Sequence, residues 1–246
     1  MQFKFWATLV LALLLTVCAI AQNDDTHDSR KTEARSLLRQ LPKGVLVVRL
    51  NSNHRKMTEL ERLLDSPDVN EKSKIRFKKM LETTRMETRQ EGLDLMKAFD
   101  GNYNFSKVLF MFDTASLLLK NGVKSGYFLN EALEVDSSLR LESNDWLLMY
   151  FRHESPVSFI LLDQNLETVK RPFPLPKRPV LRKYVQGQFY EVYDSEGPWK
   201  FGEKDNATGF VLFMTYNKKN QLKFFSVLIS NWQKDLTRAS KRMRND

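Results

Sequence analysis

Apolar positions along this chain fall into blocks of different period. The run GVLVVRL at residues 44–50 is rich in β-branched residues, starts after Pro42 and stops at Asn51-Ser52-Asn53, so it predicts a strand. From His54 to Asp100 the spacing lengthens, with Met57, Leu60 and Leu64 followed by Ile75, Met80, Met86, Leu93, Met96 and Phe99. Ser66-Pro67 interrupts that pattern. Serine as N-cap with proline at the first helical position predicts a short helix and then a long one starting there. The Met and Leu stripe is expected to pack on a sheet. Lys72, Lys74, Arg76, Lys78 and Lys79 also give the long helix the basic amphipathic character of helices that lie on membranes.

KVLFMFD at 107–113 is almost wholly apolar and predicts a central strand. TASLLLKNG reads as a short helix ended by Asn121-Gly122. Further strands are expected at 126–129 and 145–152, then a hairpin of VSFILLD and LETVKR turning at Asp163-Gln164-Asn165. Residues 171–179 hold four prolines in nine positions and predict an extended, exposed segment. Beyond it the pattern suggests a helix over 180–193, a loop over 197–209, and a hairpin of GFVLFMTYN and QLKFFSVLIS. A basic helical tail from Trp232 closes the chain. The fold class is α/β: a mixed sheet with a long helix early in the chain and a C-terminal hairpin region.

The first residues do not belong to that fold. Lys4, an apolar run from Phe5 to Ile20, and small residues at Ala19 and Ala21 make the three-part export signal, with cleavage before Gln22. The run is shorter than the ~20 apolar residues of a spanning helix, and polar QNDDTHDSRK follows it. Two alternatives stay open: lipid attachment at Cys18, although Val17 stands where a small residue is expected, and an uncleaved anchor. Residues 22–36 read as a flexible polar leader, 37–196 as the α/β core, and 197–246 as a hairpin and basic tail packed on it. Cys18 is the only cysteine, so cleavage leaves a chain with no thiol, disulfide or cysteine metal site.

The formal charge of +9 falls by one when Lys4 leaves with the leader. The excess gathers at Lys170, Arg171, Lys177, Arg178, Arg182 and Lys183, with Phe173 among them, and at Arg238, Lys241, Arg242 and Arg244. Such surfaces suit anionic envelope lipid or polysaccharide, or another envelope protein, and an exported location disfavours nucleic acid. Tyr184, Phe189, Tyr190, Tyr193, Trp199 and Phe201 lie nearby in sequence and suit sugar stacking or peptide docking, or else a core of their own.

The succession of strand, long helix, apolar strand, short helix, strand, Pro156 and hairpin over about residues 44–193 resembles a thioredoxin-like domain. The resemblance implies partner recognition without thiol chemistry, because Asp113-Thr114-Ala115-Ser116 stands where the family carries Cys-x-x-Cys. The segments LPKGVLVVRL, NYNFSKVLFMFDTAS and VSFILLDQNLETVKRPFP are similar to exported proteins of unknown function of Bacteroidota-type bacteria. That likeness implies an envelope location and no activity.

Specific chemistries are mostly missing. Histidines stand at 27, 54 and 153 without metal-ligand spacing, no glycine-rich phosphate loop occurs, and no Gly-x-Ser-x-Gly elbow is present. No cofactor or metal is expected. Asp113 ends an apolar strand where phosphotransfer aspartates sit, but Ala115 replaces the second aspartate of that pattern, and capping the next helix is its other role. His153 and Glu154, with Asp145 at the far end of the same strand, are the acid–base candidates. The leading expectation is an exported, non-enzymatic binding or scaffolding protein. The alternatives are a hydrolase using His153, Glu154 and Asp113, and a redox-inactive thioredoxin-like module.

Overall fold

The computed structural model describes residues 29–152, 158–176, 180–181, 184–185, 188–189, 199–205, 209–214 and 221–245. Helix α1 covers residues 29–40. It is followed by β1 (Val45–Leu50), α2 (His54–Asp65), α3 (Glu71–Asn102) and β2 (Lys107–Phe112). A 3-10 turn (Asp113–Ala115) then leads into α4 (Ser116–Lys120), β3 (Phe128–Leu129), β4 (Trp146–Arg152) and β5 (Ser158–Leu162). Short strands β6 (Val180–Leu181), β7 (Tyr184–Val185) and β8 (Gln188–Phe189) precede β9 (Trp199–Asp205), β10 (Gly209–Met214) and α5 (Gln221–Asn245).

The protein is α/β. Its main sheet runs in the order β3-β2-β1-β4-β5. β1 lies between β2 and β4 and is parallel to both, while β3 and β5 close the two edges antiparallel. β1 can occupy the centre because it is apolar on both faces. Its residues divide by the pleat: Leu46, Val48 and Leu50 join the buried cluster built with α1, α3 and α5, whereas Val45 and Val47 join a smaller cluster under α4 and the segment through Tyr127 and Leu141. One face of the sheet is thus covered by three helices, and the other by thinner material. Gly44, just before β1, lies so close to the Asp145 carbonyl that a Cβ there would collide with it.

Several expectations give way. The polar stretch becomes helical from residue 29, with Ala34 and Leu38 buried, so it is ordered well before residue 37. Ser66 is the C-cap of α2, and α3 starts instead at Asn70, whose side chain accepts the Ser73 N–H. Reversing direction between two antiparallel helices needs the intervening residues, so the serine-proline pair forms the turn and Asn70 caps. The second arm of the β5 hairpin is reduced to one bridge, Leu162 to Thr168.

Larger corrections concern the C-terminal part. Residues expected as a helix over 180–193 contain β6, β7 and β8, and the expected loop over 197–209 contains β9, which pairs with β10. The expected second hairpin arm, from Gln221, is the start of α5. Phe225, Leu228, Ile229, Trp232 and Leu236 recur at helical spacing and are all buried, so the helical period wins over the high β-propensity of the individual residues. α5 lies against α3, with Trp232 stacked on Tyr103 at 5.3 Å between ring centroids. Among the described residues no helix is long and apolar enough to cross a membrane.

Candidate functional site

Parallel strands deliver their carboxyl ends to one edge of the sheet, and the loops leaving that edge are where open α/β sheets bind ligands. Here β1 ends at Leu50, β2 at Phe112 and β4 at Arg152. β1 is followed in sequence by a crossover to β2 on one side, and β4 lies on its other side, so the strand order reverses direction at β1. The loop after β1 and the turn after β2 border an open cleft of about 620 Å³ lined by Arg49, Asn51, Asn53, His54, Arg55, Lys56, Asp113, Thr114 and Ser116.

Local bonds fix the shape of these loops. The Asp113 carboxylate accepts the backbone N–H of Ser52 at 3.0 Å and of Thr114 at 3.1 Å, which ties the exit of β2 to the exit of β1. Asn53 takes the left-handed conformation at φ 51°, which asparagine tolerates better than most residues. Its backbone N–H donates to Asn51 Oδ1, and its side-chain amide donates to Thr88 Oγ1 on α3 at 2.7 Å. The Asn53 side chain therefore does not cap α2; Ser52 Oγ accepts the His54 N–H at 3.2 Å, and no acidic residue stands in the first turn, where the helix end carries partial positive charge. The expected capping role of Asp113 is replaced by this strap between two loops.

Arg49 is the residue that the sequence pattern conceals. It sits near the end of β1 on the thinly covered face, because it follows Val45 and Val47 in the pleat. Its guanidinium lies over the Tyr150 ring at 4.2 Å, in register across β1 and β4. Arg152 follows Tyr150 on that same face, and its Nε is buried without a hydrogen-bond partner. A cation inside an otherwise apolar strand was the available signal for Arg49.

Charge in the cleft is one-sided. Arg49, Arg55 and Lys56 face a single carboxylate, Asp113, which is engaged by backbone N–H groups. None of the three cations has an ion pair with a carboxylate among the described residues. Next to this cleft a shallower groove of about 300 Å³ runs between α2 and α3, lined by Lys56, Arg76, Lys79, Met80, Thr83, Thr84 and Glu87.

Comparison with known proteins adds no relative. No family model matches the chain, and no curated protein or solved structure does so.

The candidates from the sequence are distributed unevenly. Asp113 lies in the cleft. His153, Glu154 and Pro156 fall outside the described residues. Asp145 is at the opposite edge, about 20 Å away along a seven-residue strand, with its carbonyl accepting the Val45 N–H. It cannot join Asp113. Within the basic proline-rich segment, Lys170 and Arg171 are exposed. Phe173 is not: it is 1% exposed and belongs to the main core, and the Pro174 carbonyl accepts the indole N–H of Trp232 at 2.7 Å. Burying an aromatic ring outweighs the usual exposure of proline-rich chain. Lys177, Arg178, Arg182 and Lys183 lie outside the described residues, as do Ala19, Ala21, Gln22 and Cys18. Tyr190 and Tyr193 do too. Among the described residues no cluster of three His, Cys, Asp or Glu is placed to hold a metal.

Proposed function

We propose that this is an exported binding protein of the cell envelope whose ligand presents an anionic group to the cleft at the carboxyl ends of β1 and β2. The observation that carries this reading is the convergence of Arg49, Arg55 and Lys56, with no carboxylate ion pair among the described residues, on the start of α2. Backbone N–H groups and cations at such an edge are a favourable seat for phosphate, sulfate or carboxylate. Arg49, held over the Tyr150 ring, supplies a planar fork of donors. The Asp113 carboxylate holds the Ser52 backbone N–H and so positions the loop that carries these cations. The leader at 1–21 supports the exported location.

Native mass spectrometry on protein expressed with its own leader, with pyrophosphate and a uronate oligosaccharide as probes, tests both parts. The expected result is a chain starting at Gln22 that binds at least one probe saturably, with affinity at least tenfold lower in Arg49→Ala. A chain that retains residues 1–21 and stays in the cytoplasmic fraction overturns the exported location. Absence of binding to both probes, or equal binding by Arg49→Ala, overturns the cleft assignment.

A further inference from the structure

We propose that the amino-terminal half of α3 docks this protein on an anionic lipid bilayer. α3 has 32 residues and is about 48 Å long, roughly twice the length of the sheet strands beneath it. Its buried positions begin at Leu81, so residues 71–80 stand clear of the core. The stripe expected to pack on the sheet is therefore split. Leu95 and Phe99 are buried, but Ile75 is 71% exposed, Met86 is 65% exposed and Met80 is 38% exposed.

The charges of this half do not serve the helix itself. Lys72, Lys74, Arg76, Lys78 and Lys79 crowd the end where the helix dipole favours acids, and Glu71 is the one acid among the first ten residues. It lies 3.7 Å from Lys74. Lys72, Arg76, Lys78 and Lys79 have no carboxylate partner among the described residues. A run of cations that opposes the local dipole costs the helix a little stability, which an external anionic surface would offset.

Geometry selects a bilayer over other anionic partners. Ile75 and Met86 are eleven residues apart, three turns and only about 20° around the axis, so both lie on one line along the helix. Lys72, Lys79 and Arg89 flank that line, all of them exposed, and one exposed acid, Glu82, lies on it between the two apolar residues. Exposed apolar side chains between cations on a helix surface match a headgroup layer, where cations meet phosphates and apolar tips enter the acyl boundary. A polysaccharide offers nothing for Ile75 and Met86, and a protein partner would want a pocket for its anchors rather than a convex ridge. The groove along the same helix, where Lys56, Arg76 and Lys79 outnumber the single carboxylate of Glu87, adds further cations beside this ridge. Attachment is interfacial, since no described helix is fit to span.

The test sediments the full chain, expressed with its own leader, with vesicles of phosphatidylcholine and phosphatidylglycerol (about 7:3) and with pure phosphatidylcholine vesicles. Two variants accompany it: Lys72→Glu/Lys79→Glu/Arg89→Glu, and Ile75→Ser/Met86→Ser. All five positions are exposed, so folding is retained, and circular dichroism checks it. The expected result is binding to the anionic vesicles that weakens with salt, falls about a hundredfold on triple charge reversal, and falls several-fold in the serine variant. Equal binding to pure phosphatidylcholine, anionic binding untouched by charge reversal, or no binding to either vesicle overturns the proposal. Arg49→Ala is expected to keep vesicle binding, so failure here is distinguishable from failure of the cleft assignment.

Discussion

Tyr103 shows how one buried group reports on the fold. It ends α3, stacks on Trp232 and shares a hydrogen bond of 2.9 Å with Ser106. Burial pushes its hydroxyl far above the usual tyrosine range, more than the Ser106 bond offsets. Tyr127, bonded to the Val123 carbonyl, is pushed up to about 12 by the same cause. The unfolded chain ionises these groups near pH 10 while the folded chain still holds the protons, so stability is full below about pH 10 and declines as pH rises toward the folded values. Denaturant titrations between pH 8 and 11 are expected to show that decline, with Tyr103→Phe flattening it by up to about 1.4 kcal/mol per pH unit. A parallel slope in the variant would mean that Tyr103 ionises while folded.

α3 is the element on which the most depends, because it carries core residues at one end and exposed cations at the other. Its start is held by Asn70, whose side chain accepts the Ser73 N–H at 2.9 Å. Asn70→Ala is expected to cost about 1 kcal/mol in chemical denaturation. The basic first turns make this cap more important, since they work against the dipole. Asn70→Asp is expected to restore stability and to exceed the wild type at low salt, by adding an acid where the dipole favours one. α4 ends differently: Gly122 at φ 75° takes the left-handed position after the helix, as the Asn-Gly pair in the sequence indicated.

Across the whole molecule, the two ends of the described chain meet over one face of the sheet. α1 contributes Ala34 and Leu38, and α5 contributes Phe224, Phe225, Leu228, Ile229, Trp232 and Leu236 to a single core with β1, β4 and α3. Trp232 links three segments, through its stack on Tyr103 and its bond to the Pro174 carbonyl. Trp232→Phe keeps most of the apolar volume but leaves that carbonyl without its donor, for an expected loss of about 2 kcal/mol in a urea unfolding curve. A change below about 0.5 kcal/mol would mean that the Pro174 segment is held by Phe173 alone.

Much was legible in the pattern of residues. The early strand, the pair of helices after it, the apolar strand at 107–112 and the strand at 146–152 all follow from local period and turn chemistry, which depend on a few neighbouring residues. The sequence by itself also determined that no cysteine follows position 18 and that basic residues prevail. Only the tertiary structure decided that Phe173 is core, that residues 221–230 form helix rather than strand, and that Ile75 and Met86 stay exposed. Each of these depends on what lies opposite a residue in space, and period cannot supply the opposing surface. The cleft follows the same rule. Asp113 was legible as an acid at a strand end, but Arg49, Arg55 and Lys56 converge on it because parallel pairing brings the ends of β1 and β2 to one edge.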